Sequence, residues 1–421
     1  MPESRPQPPS DPWPSLPGPG AADPAPVLLC GARLTDGRAV DVRLGGGRIE
    51  AVGTAGSLAA DGTRACVTHL DLTGYLLLPA PAEPHAHADT ALSAGGEGPA
   101  SDDPQDVQRR ATRAALLQLG HGATALRAHV RVGDLAGLGA LTAVLDAGRS
   151  LRGLAELTTV AMPRVLTGVA GADGLAVLRD ALKMGASAVG GCPDLDPDPT
   201  GYVEAVLEVA SEHGCPVDLH TDATDPARLA RFAAMAGGLR PGVALGPCGG
   251  LGRLPEELAA RTADRLAAAG VTVVCLPQGG CGAADGRGPA PVRLLRSAGV
   301  RVAAGSGALR DVSNPVGRGD PLEAAYLLAS HQGLPAEDAY AAVSTAARAA
   351  LGLPEVRVEA GFPAELLAVR GDGLPGALSL AYSRIVVHGG RVVARTSAVR
   401  EYCDSTATAG HGLPRQGRGF T

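Results

Sequence analysis

Two histidines separated by one residue, His85 and His87 in the stretch PAPAEPHAHAD, carry the clearest chemical signal in the chain. In extended backbone, alternate side chains point the same way, so a His-x-His pair can present two imidazoles to one cation. A third histidine, His220, closes the apolar run PVDLH. Three imidazoles converging from two strand ends suit Zn or Fe(II) and leave coordination positions open to water. His85, His87 and His220 are therefore the predicted metal residues.

Other groups nearby could complete such a site. Asp222 lies two positions after His220 and faces the same way if the strand runs on, which makes it a candidate substitute carboxylate. Asp194 and Asp196 follow the run SAVGGCP, and Cys192, Cys248 and Cys281 fall just beyond apolar runs, where a thiolate could ligate Zn. The ordinary alternative is that the loop carboxylates face solvent and the thiols pack as small apolar side chains. His69, His121, His213, His331, His388 and His411 fall in linkers, helix ends or tails, where structural roles are expected.

Positioning these residues is the task of a repeating pattern of elements. Short apolar runs (LLLPA, TALRAHV, LTTVAMP, SAVGGCP, PVDLHTD, VALGP, VTVVCLP and VRVAAGSG) alternate with longer segments of helical period. Eight strand candidates with helices between them predict an α/β fold, a (β/α)8 TIM barrel, whose site lies just past the strand ends. Two flanks have a different grammar. Val27 to Leu78 and Ala364 to Arg395 read as short strands joined by Gly-rich turns, so the two ends are expected to build one small β-sandwich-like domain. The expected organisation is a disordered Pro-rich tail over 1–26, the β domain over 27–78 and 360–398, the barrel over 79–359, and a flexible tail over 399–421.

Composition narrows the function classes. With 45% hydrophobic and 19% charged residues, the 421-residue chain can bury a large core. A net charge of −6 and only 2% aromatic residues argue against nucleic acid, which needs clustered cations and stacking platforms. The eight cysteines show no paired spacing, and no stretch of ~18 apolar residues would span a membrane. A cytoplasmic protein without membrane partners is expected, and a homo-oligomer is left open. The sole Trp, Trp13, sits in the Pro-rich tail.

The stretch LLLPAPAEPHAHADTALS resembles the one that opens the barrel of cytosine deaminases and related amidohydrolases. HGATALRAHV is similar to that family's second-strand segment, with Arg127, Ala128, His129 and Val130 as the matched residues. VAMP at Val160 to Pro163 resembles the third-strand motif, and GSGALRDVSNPVGRGDPLEAA resembles the eighth-strand loop and its helix. The likeness covers roughly residues 27 to 396 and implies a metal-dependent hydrolase acting on C–N bonds of small molecules.

Departures from the family pattern fall on its chemistry. Ala223 stands where the resemblance implies a proton-shuttling glutamate, Pro247 where it implies a histidine holding the nucleophilic water, and Gly307 where it implies a metal-binding aspartate. Arg164 replaces the glutamine that would read a pyrimidine. An arginine there offers a donor fork for a carboxylate or phosphate, implying an anionic small-molecule ligand, or forms a rim salt bridge with Asp194 or Asp196. His129 and Asp194 join Arg164 as candidate substrate-binding residues, and Asp311 is expected to cap the turn after the eighth strand. Two functions follow: a barrel that has lost or strongly reduced C–N hydrolysis and serves in binding or regulation, or an active hydrolase with a rebuilt metal site.

Overall fold

In the computed structural model, the described residues are 26–58, 67–95, 99–133, 135–279 and 288–398. Both expected tails, Trp13 and Cys281 lie outside them, apart from Pro26 at the tail's edge. The chain opens with five strands, β1 (Val27–Arg33), β2 (Ala39–Gly45), β3 (Arg48–Thr54), β4 (Thr68–Asp71) and β5 (Tyr75–Pro79). Eight barrel strands follow: β6 (Ala82–Ala86), β7 (Ala125–Arg131), β8 (Glu156–Met162), β9 (Ala188–Gly191), β10 (Val217–Thr221), β11 (Val243–Pro247), β12 (Thr272–Cys275) and β13 (Arg301–Ala304). The chain then returns to the first sheet through β14 (Leu366–Arg370), β15 (Arg384–His388) and β16 (Arg391–Thr396).

The two flanks thus share one eight-stranded sheet, in which β5 pairs antiparallel with β14 and β1 lies between β2 and β4. Its turns are written in the sequence. Gly46-Gly47 and Gly389-Gly390 all have positive φ, which a two-residue hairpin of primed type demands and which glycine alone adopts without strain. Leu29, Val42, Leu44, Ile49, Leu77, Leu366 and Ile385 fill a core of its own.

Strands β6 to β13 are all parallel and pair in sequence order. A bridge between Ala86 and Gly307 joins the two ends of this sheet, closing the (β/α)8 barrel. Around it run α1 (Pro104–Gly120), α2 (Leu135–Ser150), α3 (Gly174–Met184), α4 (Pro199–His213), α5 (Pro226–Ala236), α6 (Glu256–Ala268), α7 (Val292–Ser297) and α8 (Pro321–Gln332), then α9 (Ala336–Val343) and α10 (Thr345–Ala350); α11 (Leu374–Leu380) lies between β14 and β15. Four of these helices start on an Asp-Pro dipeptide, at Asp103, Asp198, Asp225 and Asp320. In each the carboxylate accepts from one or two backbone N–H groups of the first turn, while proline fills the first helical position, where no N–H is needed. These caps fix the helix starts, and with them the loops that follow the strands.

One expectation is corrected here. The run LLLPA does not supply the first barrel strand: residues Tyr75–Pro79 belong to the flanking sheet, and the next segment, AEPHA, enters the barrel as β6. Pro79 and Pro81 lack the N–H groups that would carry one ladder across both segments, so the chain changes sheets between them. Pro84 lies at an irregularity in the β6–β7 pairing, between Glu83 and Ala86. His85 therefore sits within the strand, and only His87 follows it.

Candidate metal centre and cavity

Alternation along three barrel strands stacks polar residues in pairs inside the barrel: Glu83 and His85 on β6, Arg127 and His129 on β7, Asp218 and His220 on β10. All six are buried. Glu83 anchors its strand to the segment after β13: its carboxylate accepts from Ser306 N at 2.9 Å and from the Ser306 hydroxyl, and its other oxygen accepts from His85 N at 2.9 Å. Burial outweighs these hydrogen bonds and pushes the Glu83 carboxyl up to about 7. Gly305 has no room for a side chain, since a Cβ there would meet Glu83 Oε1 at 2.6 Å and His85 Cβ at 3.1 Å.

Four imidazoles cluster at the end of this polar column. The His85 ring stacks on His220 with centroids 4.3 Å apart and lies 4.3 Å from His129 and 5.2 Å from His87. Burial, then repulsion from the neighbouring imidazoles, holds His85 and His220 well below the ordinary histidine range. His87 is pushed down to about 4 by burial first and His129 next. All three are thus neutral near pH 7, the form that donates a lone pair to a cation.

The residues fit a divalent transition metal. Ligand atoms of His85, His87 and His220 all lie within 4.8 Å of one another. The Nε2 atoms of His87 and His220 are buried and have no hydrogen-bond partner among the described residues, the state a nitrogen ligand leaves behind when its cation is taken away.

The positions where the resemblance implies chemistry hold inert groups. Ala223 is buried at φ 58° in the apolar core. Pro247 ends β11 opposite Thr221, and Gly307 takes φ 69° at the barrel seam. Asp222 does not line the cavity described below; its Oδ2 lies 3.8 Å from Arg253. Cys192 is half-buried with its thiol pushed up to about 11, by burial and then Asp194, and Cys248 is fully buried and raised further still. Neither cysteine is grouped with the histidines.

A cavity of about 440 Å³ opens at this end of the barrel, lined by His87 and His220 at its floor and by Asp89, Arg131, Arg164 and Asp311 among its walls. Arg131 Nε donates to Asp89 at 3.0 Å. Arg164 is exposed and has no ion pair or hydrogen bond among the described residues, so the expected salt bridge with Asp194 or Asp196 is not formed. Asp194 is instead held by Arg228 at 3.1 Å and Thr221 at 2.8 Å, off the cavity. Asp196 accepts from the backbone of Leu166, Thr167 and Asp198. Asp311 caps its turn, accepting from Ser313 N at 2.8 Å and Asn314 N at 3.2 Å, and takes the Thr90 hydroxyl at 2.8 Å. His129 lies in the barrel interior behind the cavity, its Nε2 3.3 Å from Asp218 Oδ1.

Sequence reasoning passed over Glu83, Asp218 and Arg131 as site residues. The signal for the first two was present, because each stands two residues before a predicted metal histidine.

A closed parallel barrel with four imidazoles clustered inside it, three of them placed to hold one cation, is the architecture on which the comparisons with known proteins bear. The amidohydrolase family model matches residues 105–394, more than half of the chain, and the chain belongs to that family. It is 31% identical over 244 residues to a pterin deaminase of Rhizobium rhizogenes (strain K84 / ATCC BAA-868), covering 53% of this chain and 54% of that protein. The match therefore spans about half the length of that relative. Among solved structures, N-isopropylammelide isopropylaminohydrolase from Burkholderia multivorans superposes with TM-score 0.78 at 26% identity, covering 89% of this chain and all of that one. The 5-methylcytosine deaminase from Klebsiella pneumoniae gives 0.76 at 23% identity, over 91% of this chain and 100% of its own, a likeness of fold. No helix among the described residues is long and apolar enough to cross a membrane.

Proposed function

We propose that this protein is a metal-binding amidohydrolase whose C–N hydrolysis is lost or strongly reduced, and that its barrel mouth serves to bind a small, carboxylate-bearing molecule. The observation that carries the reading is the contrast between a metal-fitted imidazole cluster and the inert groups around it, Ala223, Pro247 and Gly307. A divalent ion held by His85, His87 and His220 would supply Lewis-acid activation of water for hydrolysis. Here the residues from which protons would be delivered offer no titratable atom. General acid/base help of this kind contributes about 10²- to 10⁴-fold in rate. What the chain does retain is recognition. His87 and His220 floor the cavity, and Arg164, without an internal partner, can grip a carboxylate.

The test pairs metal analysis of protein purified without chelators with ammonia- and amine-release assays on cytosine, pterin and N-isopropylammelide, the relatives' own chemistry. Bound Zn or Fe with no turnover is expected. Turnover by the metal-loaded protein would overturn the reading in favour of an active hydrolase, which the continuity of the cavity with His87 and His220 favours.

A further inference from the structure

The imidazole cluster offers a cation two seats rather than one. His85, His87 and His220 frame an outer seat open to the cavity, while His85, His129 and Asp218 bring ligand atoms within 4.8 Å of one another behind it. The inner three are all buried, with side-chain exposures of 0% for His129 and 1% for Asp218. His129 Nε2 and Asp218 Oδ1 face each other at 3.3 Å, yet neither makes a hydrogen bond, nor does His129 Nδ1. Unpaired polar atoms in such a dry place are costly, and a cation between them would remove the cost.

We propose that the divalent ion sits in the inner seat, held by His85, His129 and Asp218, and is structural. This rests on the reading of the cluster as a metal centre and assigns the ion's place within it. Asp218 provides what the outer seat lacks, a carboxylate oxygen, and it does so from β10 rather than from the Gly307 position after β13. Its second oxygen is occupied by Arg127 Nη1 at 3.2 Å, which fixes the carboxylate and leaves Oδ1 for the ion. Since His85 belongs to both sets, the seats are alternatives for one ion. An ion in the inner seat lies out of reach of a cavity ligand, because neither His129 nor Asp218 lines that space. An ion in that seat would account for lost hydrolysis and retained metal together.

The experiment loads full-length protein with Zn or Co(II) and measures bound metal, metal affinity and the metal-dependent rise in melting temperature for the parent, His87→Ala, His129→Ala and Asp218→Asn. Losing an inner ligand should weaken affinity about 100-fold or more, beyond the 10- to 100-fold typical of outer partners, whereas His87→Ala should change it less than about 10-fold. The opposite order would overturn the inner seat and leave the outer one standing. No ion in the parent even under excess metal would overturn the metal centre itself. Anomalous diffraction from Zn-soaked crystals of the parent is independent of how well the variants fold: density between His129 and Asp218 supports the proposal, and density between His87 and His220 refutes it.

Discussion

Gly307 pairs with Ala86 across the seam that closes the barrel, in the one-residue interval between the two histidines of the His-x-His pair. Its φ of 69° belongs to the left-handed region, and a Cβ there would come within 3.2 Å of Gly279 O and of Leu276 Cδ1. The position implied for a metal carboxylate is thus one where any side chain is strained. Gly307→Asp should cost about 1–2 kcal/mol from the left-handed backbone. Urea unfolding of the metal-free variant would read this loss, and an unchanged midpoint would show that the backbone relaxes.

Ala223→Glu tests whether the missing proton carrier can be put back. Ala223 is 2% exposed, left-handed and part of the apolar core, and the nearby Thr221 hydroxyl is already engaged with the Ala223 N–H and Asp194, so a glutamate there would bury its carboxylate. Destabilisation of at least about 2 kcal/mol is expected from the buried carboxylate and the backbone together. Ammonia release from cytosine or pterin should stay at background; activity in this single variant would mean that the site needs only its acid.

Arg384 joins the flanking sheet to the barrel. Its guanidinium makes a bidentate pair with Asp320, at 2.8 and 2.7 Å, with both side chains 5% exposed, and also donates to the carbonyls of His121 and Ala381. Removing one partner leaves the other charge buried, so Arg384→Ala should lose about 3–5 kcal/mol in equilibrium unfolding. A loss below 1 kcal/mol would refute the pair's structural role.

The same pair sets a pH dependence. Burial alone would raise the Asp320 carboxyl, but hydrogen bonds and charge from Arg384, with smaller help from His121 and Leu322 N, hold it below the ordinary carboxylate value. In the unfolded chain an aspartate takes a proton near pH ~3.9. The unfolded state therefore binds more protons in the window below that value, and the pair's contribution, complete above it, is lost as pH falls toward the depressed folded value. Parent and Arg384→Ala should accordingly converge in stability on acidification; a gap that stays constant from pH 7 to pH 3 would contradict this.

Arg164→Ala addresses the cavity. The side chain is exposed and unpartnered among the described residues, so the substitution should move stability by no more than about 0.5 kcal/mol. Calorimetry with carboxylate-substituted pyrimidines and pterins should show weaker binding to the variant than to the parent. Equal affinity would remove Arg164 from the ligand site.

The barrel was readable because its evidence is local: period-two and period-3.6 apolar runs alternate, and Asp-Pro caps punctuate the helices. The His-x-His pair was equally plain, since spacing alone aims both rings to one side. Harder to see was the switch of LLLPA from barrel to flanking sheet, which turns on which partner its backbone meets: β14, nearly 290 residues later. Asp194 illustrates the same limit. It stands next to the fourth strand as a rim carboxylate should, yet Arg228 and Thr221 take its oxygens away from the cavity.

The sequence by itself determined the period of each element, the turns that only glycine can make and the supply of imidazoles, because these depend on residues near one another in the chain. Tertiary structure decided which polar atoms share the barrel's interior: Asp218 beside His129, and Glu83 on Ser306. Those pairings join strands far apart in sequence, and their energies exist only where closure of the barrel excludes water and makes each unpaired charge or lone pair expensive.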